Sequence, residues 1–117
     1  MRDTREVALA FTALLRAGKG PEAGEAFWHE DVSSIEATGA PRAAHGIAAV
    51  RGKAGWWLAH HEVHALEVQG PFVNEDQFAL FLRMEVSLRA TGERRWIEEI
   101  GLYTVLEGRI VEERFFA

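Results

Sequence analysis

Cysteine is absent from the 117 residues, so the chain can form no disulfide framework, thiol nucleophile or thiolate metal site. That absence suits a reducing cytoplasm. Basic residues are also scarce, since 13 Lys and Arg against 18 Asp and Glu give a net charge of −5. The basic residues are dispersed along the chain, whereas phosphate binding relies on clustered Lys and Arg. The composition therefore argues against a nucleic-acid partner.

The first twenty residues lack an uninterrupted apolar run, because Asp3, Arg5 and Glu6 lie close to Leu9 and Phe11. They make neither a signal peptide nor a membrane span. We therefore expect a soluble, cytoplasmic protein with no membrane partner. A length of 117 residues is enough to bury one core and too short for two, which predicts one domain over residues 1–117.

Three helices are predicted in the first half of the chain. Asp3–Glu6 has the character of a capping box, and apolar residues follow at helical spacing until Gly18. Pro21 opens a second, shorter helix that we expect to end near Glu30. An apolar stripe at positions 47, 50, 54, 57 and 58 predicts a third helix over residues 46–60.

From residue 61 onward the apolar period changes to two, which is typical of β-strands. The first predicted strand runs from His61 to a break at Gly70-Pro71, and the second is centred on residues 80–89. Two more strands follow over residues 94–105 and 109–116, after turns at 91–93 and 106–108. Helices followed by a meander predict an α+β fold, in which a curved antiparallel sheet carries the helices over one face.

Residues 31–46 point most directly to chemistry. Ser34 and Glu36 share one face of a short strand, and Gly39–Pro41 then turns the chain toward the third helix. A carboxylate drawn into an apolar cavity has a raised pKa and becomes a usable proton acceptor near neutral pH. Glu36 is therefore a candidate general base. The alternative is an edge-strand carboxylate in water, or one paired with an arginine such as Arg42.

The histidine cluster at residues 60, 61 and 64 suggests a metal site, because His60 and His64 are four residues apart. The predicted helix ends there, however, and no second histidine completes an HExxH motif, so we expect no metal. His64 shares a strand face with Leu66 and Val68. It is either an acid–base partner in a pocket or a core histidine with satisfied hydrogen bonds. No cofactor is expected, since proton transfer in a dry cavity needs only well-placed side chains.

The order of these segments resembles the nuclear transport factor 2-like superfamily, in particular its SnoaL-like and ketosteroid-isomerase-like members. The resemblance rests on AFWHEDVSSIEATG at residues 26–39, HGIAAVRGKAGWW at 45–57 and GERRWIEEIGLYTVLEGRIVEERFF at 92–116. It implies a cone-shaped, cystatin-like roll whose concave sheet face and three N-terminal helices enclose a pocket for a small hydrophobic organic ligand. It also implies a homodimer.

The resemblance places Glu36 where ketosteroid isomerases have the aspartate that moves the proton. The two oxyanion donors of those enzymes map onto Phe11 and Gly101, neither of which can donate a hydrogen bond from its side chain. Steroid isomerisation by that mechanism is therefore not expected. The same registration turns Glu99 and Tyr103 inward, where Glu113 can approach them from the last strand. The two acids then either share a buried proton or form surface pairs with Arg95 or Arg114.

These arguments give a candidate site and a function. The candidate catalytic residues are Glu36, His64 and Glu99, and the candidate substrate-binding residues are Phe11, Trp28, Trp57, Leu82, Met84, Tyr103 and Phe115. We expect an isomerase, cyclase, dehydratase or hydrolase that acts on a small hydrophobic organic substrate. The alternative is a ligand-binding or dimeric association module without turnover. The predicted dimer surface is the outer face of the sheet, where Phe81, Ile100 and Leu102 would otherwise form an exposed apolar patch.

Overall fold

Three helices and six strands make up residues 2–117, the part of the chain that the computed structural model describes. The helices are α1 (Thr4–Arg16), α2 (Gly20–Phe27) and α3 (Ile47–His60). The strands are β1 (Trp28–Ile35), β2 (Ala43–His45), β3 (His61–Asn74), β4 (Gln77–Leu88), β5 (Arg94–Leu106) and β6 (Arg109–Phe116). No helix within residues 2–117 combines the length and the apolar character that crossing a membrane requires.

Helix α1 begins at the predicted cap. The Asp3 carboxylate accepts a hydrogen bond from the backbone N–H of Glu6 at 2.8 Å, which satisfies one of the free donors of the first turn. Helix α2 ends at Phe27 rather than near Glu30, because Trp28 already has an extended backbone and begins β1. The acidic stretch after Trp28 therefore belongs to a strand and not to the helix.

The sheet has the strand order β2-β1-β6-β5-β4-β3. Strands β3 to β6 form the predicted antiparallel meander. Strand β1, however, pairs with β6 in parallel. Only consecutive strands joined by a tight turn must be antiparallel, and β1 and β6 are far apart in the sequence. Strand β2 was not predicted, because three residues are too few to show a period of two; it pairs with β1 at the sheet edge.

Strand β3 does not break at Gly70-Pro71 as the sequence suggested. It continues to Asn74 with an irregular register between Gln69 and Phe72. Because β3 is an edge strand, a proline there removes no hydrogen bond from the interior of the sheet. A second irregularity lies between Val63 and Ala65, where His64 is the extra residue of a β-bulge.

The core lies between α1, α2 and the inner face of the sheet. The Phe78 and Tyr103 rings are stacked with their centroids 4.8 Å apart, and the Phe11 ring approaches Tyr103 at 5.0 Å. Helix α1 packs on β3 and β4, and α3 packs on β1. These contacts confirm the predicted α+β fold class, a cone-like arrangement of three helices with a six-stranded curved sheet.

Candidate active site

The alternation of β5 decides which side chains reach the interior. Tyr103 is buried and Glu99 is partly buried, whereas Ile100 between them is 45% exposed. Because side chains of a strand alternate between its two faces, Glu99, Gly101 and Tyr103 all lie on the concave side. Across the sheet, Tyr103 is the register partner of Glu113 on β6. The two strands thus bring two acids and a phenol to one interior surface.

Glu113 is held in place by two donors from β1. The indole Nε1–H of Trp28 donates to Glu113 Oε1 at 2.9 Å, and the Ser34 hydroxyl donates to Glu113 Oε2 at 2.7 Å. Both oxygens of the carboxylate are therefore satisfied. Trp28, predicted as an apolar wall of the site, acts here as a hydrogen-bond donor.

Glu36 follows the last residue of β1 and is paired with a lysine rather than an arginine. Its carboxylate lies 2.5 Å from the Lys53 ammonium group on α3. Arg42 instead donates to the backbone carbonyl of Glu36, and the Glu36 N–H donates to the Arg42 carbonyl at 2.7 Å. The short turn that follows β1 is closed by these backbone contacts. The side chains of Glu36 and Lys53 remain 38% and 27% exposed, so this end of the site is open to solvent.

Lys53 also contacts Ser34, and this contact connects Glu36 with Glu113. Its ammonium group donates to the Ser34 hydroxyl at 2.6 Å, while that hydroxyl donates onward to Glu113. The Lys53 ammonium additionally lies 5.6 Å from the centroid of the Phe115 ring, within the range of a cation–π contact. A continuous set of polar contacts thus runs from Glu36 through Lys53 and Ser34 to Glu113.

Glu99 is the acid with the most altered chemistry. Burial, and then the charges of Glu36 and Glu113, raise the pKa of Glu99 against the opposing charge of Lys53, and the net result is a pKa of about 7. A carboxyl with this pKa holds and releases a proton near neutral pH. Burial, together with the charges of Glu113 and Glu99, also raises the pKa of Tyr103 well above its ordinary value, so its hydroxyl stays protonated.

The remaining predicted wall residues divide into two groups. Leu82 is the register partner of Glu99 on β4 and is buried, and Phe115 on β6 pairs with Gly101. These two side chains are apolar neighbours of the acid cluster, which consists of Glu36, Glu99 and Glu113. Phe11 belongs to the aromatic core beside Tyr103, and Met84 is partly buried two register pairs beyond Leu82 on the same face of β4.

His64 and Trp57 lie in other surroundings. His64 is exposed, and its Nε2 is 2.8 Å from the Ser87 hydroxyl; neither residue takes part in the polar contacts around Lys53. The bulge in β3 accounts for this position, because an inserted residue shifts the alternation of side chains. Trp57 stacks on His61 with ring centroids 4.3 Å apart. Within residues 2–117, no group of three or more His, Asp or Glu side chains is arranged to hold a metal ion.

Ser34, Lys53 and Glu113 were not among the candidate catalytic or substrate-binding residues, and of these Lys53 has the clearest signal in the sequence. It stands three residues after Val50 and four before Trp57, on the apolar stripe of α3. A charged residue on a stripe that faces the core was the available signal, since buried charges in proteins are usually paired. Its partners were less accessible to prediction, because only the fold brings α3 beside the end of β1.

Two surface grooves lie elsewhere. One is lined by Arg2, Ala26, Phe27 and residues 107–109. The other is bounded by Trp28, His29, Glu30, Ile47, Glu107 and Arg109. Neither groove includes Glu36, Lys53 or Glu99, so the acid cluster is a separate feature of the concave side.

Comparison with known proteins agrees with this architecture. A family model for the SnoaL-like domain matches residues 2–117. A provisionally named SnoaL-like polyketide cyclase from Mesorhizobium loti is 46% identical with a TM-score of 0.92, over 97% of both chains. A provisionally named isomerase from Bacillus subtilis has a TM-score of 0.81 at 15% identity, over 97% of this chain and 88% of that one. TerC, crystallised with polyporic acid, has a TM-score of 0.74 at 18% identity, over 97% and 89%.

A search of curated proteins returns no match. The helices, the curved sheet and the solved structures together define an NTF2-like α+β fold. Within that class, the chain belongs to the SnoaL-like domain family.

Proposed function

We propose that this SnoaL-like domain carries out acid–base chemistry on a small hydrophobic organic molecule. Proton transfer between Glu36, Glu99 and the bound molecule would serve an isomerisation, a cyclisation, a dehydration or a hydrolysis. The observation that carries the proposal is the position of Glu99, whose pKa of about 7 results mainly from burial and then from the charges of Glu36 and Glu113. Two carboxyls in unlike surroundings can divide the roles of acid and base.

The roles follow from the contacts of each carboxyl. Glu36 lies at the open end of the cluster, where a bound molecule has access to it, so we assign it the role of accepting a proton. Glu99 is more buried, carries a proton about half the time near neutral pH, and can return one to the product. Glu113 keeps both oxygens in hydrogen bonds with Trp28 and Ser34, so it acts as a fixed charge.

The apolar neighbours of the cluster favour an organic substrate of low polarity. Leu82 lies beside Glu99 in the sheet, and Phe115 lies beside Lys53. Such side chains contribute affinity through apolar burial, while a small number of polar groups fix the orientation of a ligand. The name of the Mesorhizobium loti protein suggests a polyketide as the substrate class to test first.

Loss of turnover with retained binding is the decisive test. The first probes are polyporic acid, with which TerC was crystallised, and any molecule that native mass spectrometry finds on the purified protein. Glu36→Gln keeps the shape of the side chain but cannot accept the proton, so we expect binding to persist and kcat to fall by ~10²–10⁴-fold. Glu30→Gln is a matched control, because Glu30 is exposed on β1 and outside the cluster.

The same experiment separates the proposal from a binding protein without turnover. Phe11 and Gly101, which occupy the mapped donor positions, have no side-chain donor, and this favours a role in binding alone. Saturable binding in the parent without conversion of any bound molecule would support that second function. Equal turnover in the parent and in Glu36→Gln would remove Glu36 from the mechanism.

A further inference from the structure

We propose that Lys53 is the positioning residue of this site: its ammonium group fixes the Glu36 carboxylate beside Glu99 and orients Glu113 through Ser34. The catalytic meaning of this role rests on the proposed function, whereas the role itself can be measured without a substrate. None of the expected site residues included Lys53. The argument for it comes from its contacts, its charge and its place on α3.

The ammonium group of Lys53 contacts two side chains at the end of β1 and reaches β6 through one of them. Lys53 lies 2.5 Å from Glu36 Oε1, at the end of β1, and 2.6 Å from the Ser34 hydroxyl, two residues earlier. A lysine ammonium has three donors, and these two contacts fix its direction. The Ser34 oxygen accepts from Lys53 while its proton goes to Glu113 at 2.7 Å. The hydrogen bond from Lys53 therefore favours the orientation in which the Ser34 hydroxyl proton points toward Glu113.

The charge of Lys53 matters because three carboxyls share a small space. The titratable groups that face Glu99 are Glu36 from the end of β1, Lys53 from α3, Glu113 from β6 and Tyr103 from β5 itself. The register partner of Glu99 on β4 is Leu82, which carries no charge. Lys53 is thus the positive group acting on Glu99, and it opposes two negative ones. Like charges held this close favour protonation of one member.

The surroundings of Lys53 on α3 explain why its side chain keeps one orientation. Its side chain is 27% exposed, and the Phe115 ring lies 5.6 Å from its ammonium group. Packing of the lysine stem and the cation–π contact limit its rotamers. An arginine in the same place keeps the charge, but its planar guanidinium is larger and cannot reproduce both contacts of a compact ammonium group.

The test compares three variants by carboxyl-carbon NMR titration and by kinetics. In Lys53→Met we expect the titration midpoint of Glu99 to move from about 7 to higher pH, by roughly one pH unit, because an opposing positive charge is lost. In Lys53→Arg the midpoint stays near that of the parent. Lys19→Met is the matched control, because Lys19 is the other lysine of the chain and is exposed before α2. A midpoint in Lys53→Met equal to that of the parent would overturn the proposal.

Kinetics then separate position from charge. On any substrate that the parent converts, we expect Lys53→Arg to lower kcat about tenfold to a hundredfold with little change in KM, because Glu36 is no longer held in its place. Parent-like kcat in Lys53→Arg would contradict the positioning role. If the parent converts no substrate while the titration midpoint of Glu99 still moves in Lys53→Met, the proposed function is wrong but the positioning role of Lys53 is supported.

A measurement on the unaltered chain covers the case in which Lys53→Met does not fold. With only two lysines, the ammonium groups give two signals that can be assigned by Lys19→Met. We expect the ammonium protons of Lys53 to exchange with water much more slowly than those of Lys19, since they are held in hydrogen bonds. Equal exchange rates would show that Lys53 is a solvated surface residue and would overturn the proposal.

Discussion

The hydroxyl of Tyr103 lies over Gly101, 2.7 Å from the point that a Cβ at residue 101 would occupy. Two atoms of the Tyr103 ring are within 2.9 Å of the same point. Gly101 is where the resemblance to ketosteroid isomerases maps an acidic side chain, and the phenol of Tyr103 fills that space here. The missing side chain is therefore a condition for the packing of Tyr103 against Phe11 and Phe78.

Adding a methyl group at residue 101 should consequently destabilise the protein. Gly101→Ala forces the Tyr103 ring away from its neighbours, and overpacking of this kind costs about 1–3 kcal/mol. Gly55→Ala is the control, because Gly55 is an exposed glycine in α3 with open space around its Cβ position. We expect that control to stabilise the chain by up to about 1 kcal/mol. Urea denaturation measures both, and equal effects of the two variants would contradict the account of Tyr103.

The elements that the sequence predicts well are those with strong local signals. The cap at Asp3 and the apolar spacing that follows it located α1, and the period of two located β4, β5 and β6. Strand β3 was cut short at Gly70-Pro71, because a break signal in the sequence does not reveal that the strand lies at an edge of the sheet. The parallel pairing of β1 with β6 is a contact between distant segments, and no local pattern encodes it.

The same distinction applies to the candidate site. The inward direction of Glu99 and Tyr103 follows from alternation along one strand, which the sequence contains. The ion-pair partner of Glu36 cannot be predicted in this way, since the choice between Arg42 and Lys53 depends on how α3 packs against β1. The position of His64 shows that alternation along a strand can itself mislead. One inserted residue in β3 changes the face on which a side chain emerges, and period-two reasoning has no means to detect it.

Truncation of the core tests which face of β4 is buried. Phe11 and Leu82 are each 5% exposed, so Phe11→Ala and Leu82→Ala should each lower the free energy of unfolding by about 2–5 kcal/mol. Met84 is only partly buried, which places Met84→Ala at the lower end of that range. Leu9→Ala is the control on α1. Because Leu9 is 53% exposed, this substitution should lower the free energy of unfolding by no more than about 0.5 kcal/mol. Small losses in the core variants would mean that the interior is loosely packed.

A homodimer through the outer face of the sheet remains a prediction. Ile100 is 45% exposed and Phe116 is 49% exposed, and the two are register partners on β5 and β6. Phe81 and Leu102 are partly buried on the same face, so an apolar patch extends over three strands. Light scattering at micromolar concentration should give the mass of two chains. Ile100→Glu should give a monomer and Leu9→Glu, on α1, should not. A parent monomer mass would contradict the prediction.

The pH dependence of stability gives a test of Glu99 that needs no ligand. The ordinary pKa of a glutamate is about 4.5, and burial with the charges of Glu36 and Glu113 raises that of Glu99 to about 7 in the folded protein. Between these values the folded chain holds a proton that the unfolded chain has released. The unfolded state then binds fewer protons, so the free energy of unfolding falls as the pH rises from about 4.5 to about 7 and is level above that.

Glu99→Gln should therefore remove this fall, because an amide carries no titrating proton and suffers no cost of buried charge. We expect the free energy of unfolding of the variant to rise relative to that of the parent as the pH increases from 5 to 8. The relative gain is up to about 3 kcal/mol, as converted from the difference in pKa. Urea denaturation at pH 5, 6, 7 and 8 measures the difference. Glu98→Gln is the matched control, since Glu98 is exposed and lies on the outer face beside Arg83. A difference between Glu99→Gln and the parent that stays constant over this range would mean that the Glu99 carboxyl titrates as in water, and the acid–base role assigned to it would fall with it.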